Sequence, residues 1–507
     1  MKNNKILRFV ISITLLIFLV ATGCNKQEQK PNFVFILVDD LGWKDLGCYG
    51  STFHETPNLD KLASEGIRFT NAYAACPVCS PTRASIMTGK YPARIDLTDW
   101  IAGRQQWANQ TGEHKLLPKP FKHQMELEET TLAEALKEAG YTTFFAGKWH
   151  LGEDSVYWPT NQGFYINKGG WKKGSPNGRR GYFSPYKNPR LADGPKGEYL
   201  TDRLADESIA FLEEYHSNPF LLYLSFYTVH NPLNGKPEKI KKYEKKRDSL
   251  NYTDEERFNR DKPWMKTFGR GSFKERLVQD NPVYASMVES MDENIGRVLD
   301  KLKELDLHKN TIIFFMSDNG GLATSEGSNT TILPLRAGKG WLYEGGIREP
   351  MIIKWPGNNL NGQTNDIPVT STDFYPTILE MAGLQLKPEQ HIDGKSLVPL
   401  LKKNNDSTKI SNEFFNRPIF WHYPHYSNQG GKPGSAVRLG NYKLIEFFED
   451  NRIELYDLEN DPGERQNISE EYPGVVNKLK NLLDSWRDSV NAKYPEPNPL
   501  YQEKEPE

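Results

Sequence analysis

Cysteine is scarce in this chain, with only four among 507 residues: Cys24, Cys48, Cys76 and Cys79. So few cysteines exclude a disulfide-stabilised scaffold. Neither sign of charge is in surplus, because 64 Lys and Arg residues stand against 66 Asp and Glu residues. Phosphate binding depends on a basic surplus, so this balance argues against a nucleic-acid partner. The length accommodates one large domain with a smaller one beside it.

Long apolar runs are lacking beyond the N-terminus, where one extends from residue 9 to residue 21. Basic residues precede this run and small residues follow it, namely Lys2, Lys5 and Arg8, then Thr22-Gly23-Cys24. This order is typical of a secretory signal, and the run is short for a membrane span. A Cys directly after small residues resembles a bacterial lipobox. We therefore predict a lipoprotein signal peptide over residues 1–24, lipidation of Cys24 and a polar tether over residues 25–31.

The predicted lipid anchor implies an exported protein that is held at a membrane, in the periplasm or at the cell surface. The alternative is an ordinary signal peptide that is cleaved without lipidation.

Helix and strand patterns alternate through most of the remaining chain. Apolar runs predict strands at Phe33–Val38, Tyr141–Phe145, Phe220–Phe226 and Thr311–Met316. Helices are predicted to begin at Pro57 and at the Thr131/Glu134 capping box, and to cover Thr201–Tyr215 and Tyr284–Leu305. This alternation predicts an α/β domain with a large, mostly parallel sheet flanked by helices. The charged stretch 235–260 is predicted to be a solvated excursion.

The pattern changes after about residue 405. Short strands separated by turns are predicted at Pro418–Tyr423, Ser435–Leu439, Tyr442–Phe448 and Ile453–Asp457, before a last helix at Gly474–Asn491. We therefore predict a main domain over residues 32–405 and a smaller α+β domain with an antiparallel sheet over residues 406–507.

Polar side chains follow four of the predicted parallel strands: Asp39 and Asp40, Lys148 and His150, His230, and Asp318 and Asn319. Ligands of open α/β sheets bind at the carboxyl ends of the strands, so these groups are predicted to share one site. Asp39, Asp40, Asp318 and Asn319 offer only oxygen ligands, which select Ca²⁺ or Mg²⁺. The alternative is that these acids cap helices or face solvent.

Cys76 and Cys79 have the C-x-x-C spacing of a thioredoxin-like redox pair, but the residues that follow favour a different interpretation. Cys79-Ser80-Pro81-Thr82-Arg83, followed by Thr88-Gly89, resembles the C-x-P-x-R and T-G signature of the type I, formylglycine-dependent sulfatases. Further segments resemble this family in the same order, namely residues 38–40, 147–150, 317–320, 338–340 and 344–350. The resemblance covers most of the mature chain and implies an alkaline phosphatase-like fold.

The resemblance implies a sulfuric ester hydrolase in which a dedicated maturase oxidises Cys79 to formylglycine (3-oxoalanine). One hydroxyl of the formylglycine hydrate attacks sulfur, and the second then loses its proton so that sulfate is released. A divalent cation, Ca²⁺ with Mg²⁺ as the alternative, assists this chemistry. The implied cation ligands are Asp39, Asp40, Asp318, Asn319 and an oxygen of residue 79.

The resemblance also implies roles for the basic residues. Arg83 holds the hydrate, Lys148 and Lys339 bind sulfate, His150 is the base for release, and His230, with Lys339, donates a proton to the leaving oxygen. Arg94 and Arg336 are expected to be structural.

The predicted substrate is a sulfated oligo- or polysaccharide, such as a host glycosaminoglycan or an algal polysaccharide. Polar and aromatic residues of the kinds that bind sugars are the candidate contacts: Asp99, Trp171, His422, His425 and Arg438. The segments 91–94 and 98–100 loosely resemble bacterial galactose- or N-acetylgalactosamine-type sulfatases. Two alternatives are a phosphonate or phosphate ester hydrolase with the same site, and a glycan-binding lipoprotein without catalysis.

Overall fold

The computed structural model describes residues 30–101, 112–177, 181–260, 273–402 and 407–502. The predicted signal peptide, Cys24 and most of the predicted tether lie outside these residues. In the part of the chain that the structure describes, no helix combines the length and apolarity needed to cross a bilayer.

Strands and helices alternate along most of the described chain. The strands are β1 (Asn32–Val38), β2 (Ile67–Tyr73), β3 (Leu116–Leu117), β4 (Thr142–Gly147), β5 (Ile166–Lys168), β6 (Phe220–Ser225), β7 (Phe258–Asn259), β8 (Glu275–Arg276), β9 (Thr311–Ser317), β10 (Arg348–Lys354), β11 (Gln363–Asn365), β12 (Val369–Thr370), β13 (Ile419–Tyr423), β14 (Gly434–Leu439), β15 (Tyr442–Phe447), β16 (Ile453–Asp457) and β17 (Glu496–Pro497). The helices are α1 (Pro57–Ser64), α2 (Cys79–Thr88), α3 (Leu132–Glu138), α4 (Leu200–Tyr215), α5 (Pro237–Leu250), α6 (Asp254–Arg257), α7 (Pro282–Glu304), α8 (Glu344–Ile347), α9 (Phe374–Met381), α10 (Val398–Leu401), α11 (Ser407–Phe415) and α12 (Pro473–Ser489). Single 3₁₀ turns occupy Gly47–Tyr49, Ser155–Tyr157, Pro159–Asn161 and Ser371–Asp373.

The central sheet has the strand order β11-β2-β10-β9-β1-β6-β4-β5, and β12 also pairs with β2. β10 is antiparallel to both of its neighbours, whereas the other pairings among the described strands of this sheet are parallel. The predicted mostly parallel sheet is therefore confirmed. Because successive strands share one direction, the carboxyl ends of β1, β4, β6 and β9 lie along one edge.

The apolar run of β1 results from burial on both faces of the sheet. Phe33, Phe35 and Leu37 pack into one core cluster with α3 and α9. The alternate residues Val34 and Ile36 pack into a second cluster with α1, α4 and α7. Each fully buried apolar side chain contributes about 1.5–3 kcal/mol, so this strand anchors both layers of helices. The Thr131 capping box that begins α3 is present as predicted.

A separate antiparallel sheet, in the order β13-β14-β15-β16, forms the C-terminal part of the molecule and confirms the predicted antiparallel sheet. One face packs against the central domain, where Trp421 Nε1 donates to the carbonyl of Ala74 at 2.8 Å. The other face is covered by α12, and Phe420 stacks on Trp486. The boundary near residue 405 stays a prediction.

Several features of the fold were not predicted, among them β2, β10 and the helices of the charged stretch. β10 begins with Arg348 and Glu349, so its sequence lacks the apolar pattern of a central strand. The charged stretch 235–260 contains the helices α5 and α6, although only Tyr243 is buried in α5. Ion pairs hold α5 in place instead, since Lys239 and Lys242 both contact Glu289 of α7 at 2.9 and 2.8 Å.

Candidate active site

The predicted site residues meet at the carboxyl edge of the parallel strands. Asp39 and Asp40 follow β1, Lys148 and His150 follow β4, His230 follows β6, Asp318 and Asn319 follow β9, and Cys79 begins α2 after β2. Lys339 joins them from the loop between β9 and α8. The structure therefore brings together the four strand ends at which the sequence predicted one site, and adds Cys79 and Lys339 to them.

Cys79 is the first residue of α2, a helix that is buried along its whole length. Arg83 lies one turn later, where its Nε donates to Asp318 Oδ2 at 2.7 Å and its Nη1 donates to the carbonyl of Lys148 at 2.8 Å. Burial raises the pKa of the Cys79 thiol, although Lys148 and Lys339 oppose this shift. A buried, protonated thiol is a weak nucleophile. Cys76 and Cys79 are both free, which removes support for a disulfide between them.

Three acidic side chains of the site are buried and paired with basic ones. Lys148 Nζ lies 2.7 Å from Asp39 Oδ2, and Lys339 Nζ lies 2.6 Å from Asp40 Oδ1. Arg83 completes the set by its contact with Asp318. Burial raises the pKa of Asp39, and the neighbouring Asp318 and Asp40 add to this effect, whereas Lys148 opposes it. Burial also acts to raise the pKa of Asp40, but Lys339, His230 and Lys148 together hold it below its usual value.

The acidic cluster retains oxygen atoms that fit a hard cation. Asp39 Oδ1, Asp40 Oδ2 and Asn319 Oδ1 are buried and have no hydrogen-bond partner among the described residues. An unpaired buried oxygen is costly, and Ca²⁺ or Mg²⁺ satisfies such oxygens. Ligand atoms of Asp39, Asp40 and His230 lie within 4.8 Å of one another. The donor chemistry thus fits a divalent cation, and His230 lies directly beside the acids.

His150 presents a ring nitrogen to residue 79. Its Nε2 lies 3.1 Å from the carbonyl oxygen of Ile101, which can only accept, so Nε2 carries the proton. The unprotonated Nδ1 then lies 3.4 Å from Cys79 Sγ and 3.1 Å from Ser80 Oγ. Burial, reinforced by Lys148, lowers the pKa of His150 well below its usual value, which keeps the ring neutral. Gly174 packs so closely on this ring that a Cβ there would lie 2.3 Å from Cε1.

His230 is the more accessible histidine, because 18% of its side chain is exposed. Its Nδ1 lies 2.6 Å from the carbonyl of Asn231, and its Nε2 lies 3.6 Å from Asp40 Oδ2. Burial and the nearby Lys339 lower the pKa of His230 to about 3, although Asp40 opposes the shift. The ring is therefore neutral at neutral pH and lies at the edge of the cluster.

The candidate sugar contacts fall into two groups. Trp171 lies beside the cluster, since its carbonyl accepts from the His150 backbone N–H, whereas Asp99 accepts from Tyr423 Oη at 3.0 Å. The remaining three are buried in or beside the C-terminal sheet. His422 contacts Ser435 Oγ and the Lys493 carbonyl, His425 contacts Thr98 Oγ1, and Arg438 donates to the Gly440 carbonyl and to Tyr73 Oη. As substrate contacts, all five stay predictions.

Arg94 and Arg336 make internal contacts, in agreement with the structural role expected of them. Arg94 binds Asp393 through two nitrogens at 2.8 and 2.7 Å. Arg336 donates to the carbonyl of Glu464 at 2.7 Å.

Sequence reasoning missed two groups that orient the site. Ser225 Oγ accepts from Arg83 Nη1 at 2.7 Å and lies at the carboxyl end of β6, a position that could have indicated it. The carbonyl of Ile101 fixes the tautomer of His150. A backbone atom leaves no signal in the residue pattern, so this contact could not have been found.

Comparison with known proteins agrees with this geometry. Residues 31–384 match the family model described as Sulfatase, and residues 337–489 match the one described as N-sulphoglucosamine sulphohydrolase, C-terminal. A sulfatase of Formosa agariphila is 30% identical over 97% of this chain and 94% of its own length. The N-acetylgalactosamine-6-sulfatase of Mus musculus is 31% identical over 90% of this chain and 80% of its own.

Among solved structures, Ps i-CgsB in complex with k-i-k-neocarrahexaose superposes with a TM-score of 0.72 at 26% identity, over 94% of this chain and 95% of that one. The predicted alkaline phosphatase-like fold is thereby confirmed. The family match covers more than half of the chain and includes every residue of the cluster at the sheet edge. The chain belongs to the sulfatase family and is a sulfuric ester hydrolase.

Proposed function

We propose that the protein removes sulfate from a sulfated carbohydrate, with a formylglycine derived from Cys79 as nucleophile and one hard divalent cation as cofactor. The observation that carries this proposal is the placement of Cys79. His150 Nδ1 lies 3.4 Å from its sulfur, and Arg83, one turn along α2, binds Asp318. Nucleophile, base and cation-binding acids are therefore linked by direct contacts. The carbohydrate substrates in the names of the relatives support the substrate class.

Residue 79 supplies both attack and release. As the hydrate, one of its hydroxyl groups gives its proton to the protein, and its oxygen bonds to sulfur while the bond from sulfur to the ester oxygen breaks. The alcohol leaves with a proton from the protein. The second hydroxyl then gives up its proton, the carbonyl of formylglycine re-forms, and sulfate departs. An unmodified thiol offers no such release step, and at this buried position it is also protonated.

The cation ligands proposed are Asp39, Asp40, Asp318, Asn319 and an oxygen of residue 79. Unpaired oxygens on Asp39, Asp40 and Asn319 support this assignment. The cation, Ca²⁺ with Mg²⁺ as the alternative, would withdraw charge from sulfate and lower the pKa of the attacking hydroxyl. Arg83 holds Asp318 in place and balances the charge of the acids.

Lys148 and Lys339 are proposed to bind the sulfate oxygens. Both ammonium groups lie in the cluster, at 2.7 Å from Asp39 and 2.6 Å from Asp40. Both side chains are almost fully buried, so their charges are poorly screened and attract the anionic sulfate group of the ester strongly.

The two histidines are proposed to move protons on opposite sides of the reaction. His150 accepts the proton of the second hydroxyl, because its unprotonated Nδ1 faces residue 79. His230, with Lys339 beside it, donates to the leaving oxygen, and its partial exposure supports a position towards the saccharide. The negative charge of a bound sulfate raises the pKa of His230 again and so favours the protonated ring that can donate.

The proposed partners follow from this chemistry. They are a sulfated oligo- or polysaccharide, contacted by Asp99, His422 and Arg438, and a maturase that oxidises Cys79. A lipid on Cys24 is proposed to anchor the exported enzyme to a membrane.

The test is sulfate release from a panel of sulfated saccharides, with the matching phosphate esters assayed in parallel. We expect release of sulfate at rates well above those of phosphate, and none from Cys79→Ala. Preference for phosphate esters would identify the protein as a phosphate ester hydrolase, and no turnover of either class would leave a glycan-binding role.

A further inference from the structure

Glu326 is an exposed carboxylate at the edge of the site, held from two sides. Its backbone carbonyl accepts from Asn231 Nδ2 at 2.9 Å, directly after His230 in the chain. Its Oε1 accepts from Gln429 Nε2 at 2.7 Å. The glutamate thus lies between the His230 segment and the C-terminal part of the molecule, which contributes Gln429.

Gln429 is itself fixed in orientation, because only 5% of it is exposed and both ends of the residue are bonded. Ser427 Oγ donates to Gln429 Oε1 at 2.5 Å, which directs Nε2 towards Glu326. Trp341 Nε1 donates to the carbonyl of Gln429 at 2.9 Å. Gly340, the neighbour of Lys339, packs on Ser427 so closely that a Cβ would lie 2.0 Å from its Oγ.

The backbone of Glu326 and of the two residues after it is strained. Glu326, Gly327 and Ser328 have φ values of 50°, 104° and 48°, so three successive residues adopt the left-handed region. For Glu326 and Ser328, which carry side chains, this conformation is strained. Strain of this kind persists where the surrounding contacts hold it, and here those contacts fix one carboxylate.

The charge of Glu326 does not serve sulfate binding. Glu326 is held beside the His230 segment by its contact with Asn231, and a carboxylate at the edge of a sulfate-binding site repels sulfate. Gln429 occupies only one of about four acceptor positions on the carboxylate. The remaining positions suit neutral hydrogen-bond donors, and a sugar offers hydroxyl groups.

We infer that Glu326 accepts hydrogen bonds from hydroxyl groups of the sugar that carries the sulfate, and that it selects substrates without a second anionic group at that position. This inference rests on the proposed function and narrows its substrate class to sulfated neutral sugars. It also gives the C-terminal subdomain a role in specificity, because Ser427 and Gln429 position Glu326.

The experiment compares Glu326→Gln with the parent enzyme on three probes. The first is 4-nitrophenyl sulfate, which lacks sugar hydroxyls. The second, called the neutral sugar below, is the hexose with one sulfate and no other charge on which the parent enzyme has the highest kcat/KM. The third is D-glucosamine-2-N,6-O-disulfate. Loss of a charge-assisted hydrogen bond lowers kcat/KM on the neutral sugar about 10-fold. On the aryl sulfate we expect a change of less than about 2-fold. In Glu326→Gln, kcat/KM on the disulfated probe should rise relative to kcat/KM on the neutral sugar.

Two further variants complete the design. Gln429→Leu removes the hydrogen bond that orients the Glu326 carboxylate but keeps the carboxylate itself. We therefore expect a smaller loss of kcat/KM on the neutral sugar than in Glu326→Gln, and again a change of less than about 2-fold on the aryl sulfate. Glu470→Gln, at an exposed glutamate before α12, is the matched control and leaves all three rates unchanged.

An equal effect of Glu326→Gln on all three probes, or no effect on any, overturns the inference while the proposed function stands. Absence of sulfate release by the parent enzyme from every probe overturns the proposed function and the inference with it.

Discussion

Lys148 and Asp39 form an ion pair in which neither side chain is exposed and the two charged atoms lie 2.7 Å apart. Removing one member of such a pair leaves the other charge buried and uncompensated, which costs about 3–5 kcal/mol. We therefore expect Lys148→Ala to lose about this much free energy of unfolding, measured by denaturant titration. The control is Lys168→Ala, whose partly exposed pair with Glu207 contributes about 0–1 kcal/mol. Equal losses in both variants would contradict the prediction.

Cation binding at the acidic cluster predicts stabilisation by Ca²⁺. Saturation to about 100 times Kd raises the free energy of unfolding by about 2.7 kcal/mol, and a chelator reverses this. Asp40→Asn is expected to abolish the Ca²⁺-dependent rise in Tm, because it removes a ligand charge. Asp292→Asn changes a buried carboxylate that binds the backbone of Asn58 and Leu59, so it is expected to lower Tm and keep the Ca²⁺ response. A retained response in Asp40→Asn would place the cation elsewhere.

His150 is expected to control breakdown of the covalent intermediate, not its formation. His150→Ala should lower kcat by about 10²–10⁴-fold, since a positioned base contributes this much. The sulfated form of residue 79 should then accumulate and be visible in the intact mass of the enzyme during turnover. A slow variant with no accumulated adduct would show that His150 acts before sulfate transfer.

His422 predicts acid sensitivity of the fold. Burial, with Arg487 nearby, lowers its pKa from 6.5 to about 4, so the unfolded chain takes up a proton at a higher pH than the folded chain. Stability from the neutral ring is present above the unfolded value and declines as pH falls from 6.5 towards 4. The free energy of unfolding that is lost in His422→Gln should therefore be smaller by about 2 kcal/mol at about pH 5 than at about pH 7.

The matched control for His422 is Ser435→Ala, which removes the partner of Nδ1 without removing a titrating group. Its cost should change less with pH than that of His422→Gln. Parallel pH profiles for the two variants would show that His422 does not titrate in this window.

The sequence allowed the layers of the fold and the composition of the site to be predicted, for identifiable reasons. β1 is buried on both faces, so its apolar run is unambiguous, and the acids after β1 and β9 stand out against it. β10 could not be predicted, because its first residues, Arg348 and Glu349, are charged although they are buried. The contact between Glu326 and Gln429 spans 103 positions in sequence, and no local pattern records such a pair.

The state of residue 79 tests the account most directly. Mass spectrometry of the peptide that contains it, from active enzyme produced in its native host or with a sulfatase maturase, should show an aldehyde in place of the thiol. Activity should scale with the converted fraction. Full activity in protein whose Cys79 remains an unmodified thiol would contradict the mechanism.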